Sequence, residues 1–270
     1  MKNIKVIHFK KMVFVIGVIL LVLFLALLIG RVLGNFYLVN ITQQNHVDIN
    51  ENNDVQKSVK KTKALRLEEV DYYSILVLSS DRQELAVSIE KEMGEKDFPV
   101  VVTSEAPYKI LLGFLSNEDN LISLASRIKV GETEAKVIHG KLNEFSFKFF
   151  ADDTYAEEKI APFLGRISLC LEKGLLLYTS LSVNDNDIIR NRPKFLNLAA
   201  SLEKLYGEGQ DITDEKYKDM QALSEKSLHW AESIRQLEKD WTDKALLISQ
   251  QKALALLEEY RCFLRRKYWG

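Results

Sequence analysis

The sequence predicts an α+β protein: a small β-α-β-β-α-β domain, with a four-stranded antiparallel sheet and two helices on one face, between a transmembrane helix and a C-terminal α-helical bundle or hairpin. Three observations carry this. A strand-like alternation runs into a helix-like stripe twice, as DYYSILVLSS before DRQELAVSIEKEM and as PYKILLGFLS before NEDNLISLASRIK. Apolar residues recur three or four apart through the C-terminal third. Close to the N-terminus, the 19 residues from Met12 to Gly30 carry no charge.

The apolar run MVFVIGVILLVLFLALLIGRVLG, residues 12–34, reads as a membrane span, because 19 residues at about 1.5 Å each cover most of a hydrocarbon core about 30 Å thick. Lys2, Lys5, Lys10 and Lys11 precede it and Arg31 is the one charge close behind. That asymmetry keeps residues 1–11 in the cytoplasm and puts the bulk of the chain outside the cell, on the cytoplasmic membrane. The alternative is a cleaved signal peptide with Gly34 at the cut, although the run exceeds the about 7–15 residues usual for one; either reading exports the remainder. Residues 35–68, with four asparagines between Asn45 and Asn53 and a lysine cluster at Lys57, Lys60, Lys61 and Lys63, have little apolar periodicity and read as a flexible linker.

The small domain is expected over residues 69–150. Tyr73, Ile75 and Val77 alternate with Tyr72, Ser74 and Leu76, which puts the two sets on opposite faces of a strand. Ser80 and Gln83 suggest a capping box, ahead of a stripe of Leu85, Ala86, Ile89 and Met93. The β-branched run Val100 to Thr103 supplies a second strand. The unit then repeats: Tyr108, Ile110 and Leu112 oppose Lys109, Leu111 and Gly113. Asn117 is placed to cap a helix with Leu121, Leu124, Ala125 and Ile128 on its stripe. Residues 134–149 give one or two further strands, with Phe145, Phe147 and Phe149 on one face. Two helices cover one face of such a sheet, leaving the other for a ligand or another part of the chain.

Residues 151–270 read as helical. Ile160, Phe163, Ile167, Leu171, Gly174, Tyr178 and Leu181 form one stripe, whose start is set or kinked by Pro162. Pro193 suits a first helical turn before Phe195, Leu198, Leu202 and Leu205, and Gly207 and Gly209 end that helix. From Thr213 to Lys267 the chain is one very long helix or two broken ones, with near-heptad spacing that includes Trp230 and Trp241 as core residues. An antiparallel hairpin or a three-helix bundle is expected.

Composition excludes several functions. The 37 Lys plus Arg against 38 Asp plus Glu argue against bulk-charge binding of nucleic acid. Cys170 and Cys262 are too few for a disulfide framework or a zinc site; they read as buried thiols, or as a single bridge outside the cell. His8, His46, His139 and His229 are scattered, and His229 with Glu232 has no further ligand at metal-binding spacing. There is no P-loop, dinucleotide fingerprint or nucleophile elbow. The chain is therefore expected to be no enzyme and to need no cofactor or metal. Arg261, Arg265, Arg266 and Lys267 among Tyr260, Tyr268 and Trp269 either offset a helix dipole or meet an anionic wall polymer or lipid headgroups.

A strand with Tyr, a Ser-rich turn and a helix, followed by Pro-Tyr-Lys-Ile-Leu-Leu-Gly-Phe-Leu at Pro107 to Leu115, resembles the SPOR domain, whose second half typically reads Tyr-Arg-Val-Arg-Val-Gly-Pro-Phe. The likeness covers residues 71–149. It implies binding of peptidoglycan glycan strands stripped of stem peptides, in cell division or sporulation septation, by a single-pass protein with the domain outside. The implied glycan-binding positions are Tyr72, Ser74, Lys109, Leu111 and Gly113. Lys109 and Gly113 match the family's Arg and Gly, whereas Ser74 stands in place of a Gln and Leu111 in place of an Arg. Leu76 and Leu111 make the face more apolar, which equally suits an envelope scaffold whose sheet and helical region bind divisome or other envelope proteins.

Overall fold

The computed structural model describes residues 61–268, apart from 127, 131, 132 and 182–184. The expected anchor at 12–34, and the linker up to residue 60, lie outside the described residues. Among the described residues no helix is long and apolar enough to cross a membrane. The described residues form one compact unit.

The fold is α+β. In chain order come β1 (Thr62–Leu67), β2 (Val70–Ser80), α1 (Gln83–Glu95), β3 (Val101–Val102), β4 (Tyr108–Leu115), α2 (Asp119–Ala125), β5 (Lys129–Val130), β6 (Thr133–Glu134), β7 (Lys136–Leu142) and β8 (Phe145–Phe150). A π-helical turn, Ala156–Ile160, leads into α3 (Ala161–Thr179), followed by α4 (Asp185–Gln210), a 3-10 turn (Glu215–Tyr217), α5 (Met220–Lys239) and α6 (Asp243–Tyr268).

The main sheet has the order β3-β4-β2-β7, and every neighbouring pair is antiparallel. Long β2 takes the centre because both of its faces are apolar: Ile75 and Val77 bury one way, Tyr72 and Ser74 the other. On the first face lie α1, through Ala86, Ile89 and Met93, and α2, through Leu121 and Ala125. On the second lie α6 and α3. Helix α5 packs between α4 and α6, so the helical region holds four helices, α3 to α6, rather than the expected hairpin or three-helix bundle.

Several elements differ from expectation. The stretch assigned to linker contains β1, which pairs antiparallel with β8, Leu65 opposite Phe147 and Leu67 opposite Phe145. Its apolar residues alternate with Lys63 and Arg66, and its partner lies about eighty residues away, so no local pattern reveals it. Ser80 forms no capping box. Its Oγ accepts from Arg82 N at 3.0 Å, turning the chain before α1 without entering the helix. Helix α2 has no side-chain cap from Asn117 and ends at Ala125. Pro193 lies inside α4, which begins at Asp185, and α4 runs through Gly207 and Gly209 to Gln210. Gly209 has a use there: a Cβ would come within 2.2 Å of Ser224 Cβ on α5. The long C-terminal pattern is two helices, broken at residues 240–242.

The expected helical cores are largely present. Trp230 is wholly buried and Trp241 half-buried. Trp230 Nε1 donates to Tyr178 Oη at 2.7 Å, and Tyr178 Oη and Ser249 Oγ lie 2.6 Å apart, so each buried polar end finds a partner. Both cysteines are free, buried thiols, with burial pushing Cys170 up to about 11.

Candidate functional site

The second face of the sheet, which the sequence leaves for a ligand or another part of the chain, is built by β2 and β4. Alternation along β2 sends Tyr72, Ser74 and Leu76 to this side, and Leu76 pairs across with Leu111. Near Tyr73 the register shifts: Tyr73 faces Leu115 but Ile75 faces Leu112, so β4 carries an extra residue there. Gly113 supplies the bend, with φ of 83°, a left-handed conformation that glycine adopts at no steric cost. The bulge turns the ring of Phe114 to within 5.6 Å of Tyr72.

This face is not open. Helix α6 lies across it and is joined to the sheet by its own polar side chains: Phe114 N donates to Gln250 Oε1 at 3.3 Å, and Gln251 Nε2 donates to Val100 O at 2.9 Å. Helix α3 adds Thr179, whose Oγ1 accepts from Ser116 N at 2.7 Å. Four of the five expected glycan-contact residues are therefore interior. Tyr72 and Leu111 are buried, Gly113 is buried beside Gln250, and Ser74 is wholly buried, its Oγ donating to Leu112 O at 3.0 Å. Leu76 is half-buried. Only Lys109 is exposed, its backbone N–H donating to Thr103 Oγ1 at 2.8 Å.

At the edge of the covered face the structure gathers Tyr72, Glu258, Arg261 and Lys109. Burial, reinforced by the charge of Glu258, pushes the Tyr72 hydroxyl up to about 12, with Arg261 pulling the other way. Burial likewise raises the Glu258 carboxyl, against the opposing pull of Arg261, Arg265 and Lys109. Glu258 is ion-paired with Arg261, and its Oε1 has no hydrogen-bond partner among the described residues. Beyond Arg261 a cleft of about 720 Å³ opens between the β7–β8 turn and the last turns of α6, with Asn143, Phe145, Leu264 and Arg265 in its walls. Its cations are matched by acids: Arg265 with Glu105, Arg266 with Glu259 at 3.9 Å, and Lys141 with Glu69 at 2.8 Å. The arginines of the tail thus meet carboxylates of the same chain.

No group of three or more His, Cys, Asp or Glu side chains is placed to hold a metal among the described residues. His229 lies 3.3 Å from Glu232 as an exposed pair on one helix. Sequence reasoning missed Gln250, Gln251 and Glu258, all on α6, and read Arg261 as part of a basic tail rather than as the partner of Glu258. The available signal was ALALLEEYRCFL, residues 253–264, which is apolar on more than one side of a helix and so must be buried on more than one side.

No family model matches this chain, and no curated protein and no solved structure is significantly similar to it.

Proposed function

We propose that the chain is a non-catalytic scaffold of the cell envelope, held by a single N-terminal membrane anchor, in which a SPOR-like sheet serves as the docking surface for its own C-terminal helices and the helical region carries the contacts to protein partners. The anchor rests on the charge-free stretch from Met12 to Gly30 with its lysines on the N-terminal side. Four antiparallel strands with two helices on one face are the arrangement the resemblance implies. One observation carries the reading: Ser74, at the centre of the implied sugar-binding face, is wholly buried and spends its hydroxyl on Leu112 O beneath a helix joined to Phe114 N. Sugar recognition requires hydroxyl-directed donors and acceptors that are free to exchange with water, and Tyr72 and Ser74 have no such freedom here.

The second reading is binding of denuded peptidoglycan glycans in division or sporulation septation. It is favoured by Lys109, which stays exposed at the end of the covered face and close enough to Glu258 to affect its carboxyl. It requires α6 to leave the sheet. The two readings separate in co-sedimentation of residues 61–270 with purified sacculi, before and after an amidase removes the stem peptides. The scaffold reading expects no binding that depends on stripping, and no effect of Lys109→Ala. Binding to stripped sacculi alone, weakened by Lys109→Ala, would replace it with the glycan reading.

A further inference from the structure

Positions on the water side of a helix ordinarily carry polar residues, and α3 departs from this. Leu169, Lys173, Leu176 and Ser180 follow the spacing i, i+4, i+7, i+11 and so form one outer stripe, about 16 Å long at about 1.5 Å per residue. Leu169 is 46% exposed and Leu176 56%. Next to this stripe α4 presents Lys194, Asn197 and Ser201, and between the two helices runs a groove of about 490 Å³ with Leu177 and Leu198 also in its lining. Among the described residues the charged lining consists of Lys173 on one helix and Lys194 on the other, with no carboxylate. Lys194 Nζ donates to Asn191 Oδ1 at 3.0 Å, a neutral partner, and makes no ion pair among the described residues.

We propose that this groove docks an amphipathic helix of a partner protein, one whose leucine-like edge covers Leu176 and whose flanking Asp or Glu residues pair with Lys173 and Lys194. The inference rests on the scaffold reading and names the partner's chemistry. A third helix fits because two packed helices present a groove between ridges, and the stripe is about three turns long, enough for anchors at i, i+3 or i+4, and i+7. The partner is acidic because the described lining of the groove carries positive charge at Lys173 and Lys194, which selects and orients an oppositely charged edge. A concave groove with Asn197, Ser180 and Ser201 in its lining suits a helix better than a lipid surface, which would dehydrate those side chains without replacing their hydrogen bonds.

The test uses the full chain in zwitterionic nanodiscs and two fluorescent synthetic helical peptides, each about four turns long with the same leucine edge, one flanked by Glu and the other by Lys. Fluorescence anisotropy is expected to give at least about tenfold tighter binding of the Glu peptide. The Lys173→Glu, Lys194→Glu double variant is expected to reverse that order, an outcome that loss of folding does not produce. Leu176→Asp is expected to weaken the preferred peptide by a similar factor. An unchanged preference in the double variant, binding by neither peptide, or Leu176-dependent binding to phosphatidylglycerol vesicles in place of the peptides would each overturn the proposal. Peptide-dependent self-association through Leu176 would assign the groove to a second copy and overturn it equally. None of the lining residues belongs to the sheet, so the sacculus experiment reports on the scaffold reading separately: sacculi and peptides both failing to bind removes the groove alone.

Discussion

At Gly174 the approach of two helices depends on one missing carbon. A Cβ there would lie 2.4 Å from Cζ2 of Trp230, a wholly buried ring tied by its Nε1 to Tyr178. Gly174→Ala gains about 1 kcal/mol in helix propensity. Overpacking costs about 1–3 kcal/mol and a strained indole hydrogen bond about 1 kcal/mol more. A net loss of about 1–3 kcal/mol is expected from those terms, seen as a lower urea midpoint at unchanged slope. Glu258 makes a pH prediction. Its carboxyl is raised above the ordinary 4.5, chiefly by burial, so in the window just above 4.5 the folded chain binds more protons than the unfolded one. Unfolding free energy therefore falls as pH rises through that window. Glu258→Gln removes this slope, and urea titrations of both proteins across the window should diverge in that sense. Parallel curves would mean that Glu258 is solvated in the folded chain.

Elements bury their apolar sides, and α6 shows how a polar residue specifies where. Gln250 is buried and accepts the N–H of Phe114, a donor left over by the bulge at Gly113. Gln250→Ala strands that donor and is expected to cost about 1–3 kcal/mol, measured by chemical unfolding. Ser74→Ala removes the hydroxyl from Leu112 O and should cost about 1 kcal/mol without altering any sacculus interaction. The strands and helices of the small domain were legible because alternation and stripe are local signals: β2, α1 and β4 lie close to where Tyr73, Ile89 and Ile110 put them. Strand β1 was not legible, since Lys63, Leu65 and Leu67 acquire meaning only opposite Phe149, Phe147 and Phe145. The early start of α4 was hidden by Pro193, whose ring is accommodated within the helix although its fixed φ suits a first turn. The candidate face itself was read correctly, with Tyr72, Ser74 and Leu111 on one side. That another part of the chain could cover it was also open in the sequence; that α6 does so was not legible, because that depends on how Gln250 meets a bulge in a strand far away in sequence.

Across the whole molecule the sheet is a middle layer, with α1 and α2 on one side and α3 and α6 on the other. Each buried side chain the size of Leu111 or Phe114 contributes about 1.5–3 kcal/mol when removed from water. A fragment of residues 61–150 is therefore expected to expose the face, bind a hydrophobic dye and self-associate, whereas 61–270 unfolds in one cooperative step. A soluble, dye-silent 61–150 fragment would mean that the sheet is built to stand alone with its face in water.

Hydrogen exchange of the full chain, with and without denuded glycan strands, decides whether α6 belongs permanently to the sheet. The amides of β4 and of residues 245–264 are expected to exchange together, at the slow rate of global unfolding, and to be unchanged by added glycan. Faster, independent exchange of α6, with its amides released and those of Leu111 to Phe114 newly protected when glycan is added, would make the helix a removable cover over a working sugar site.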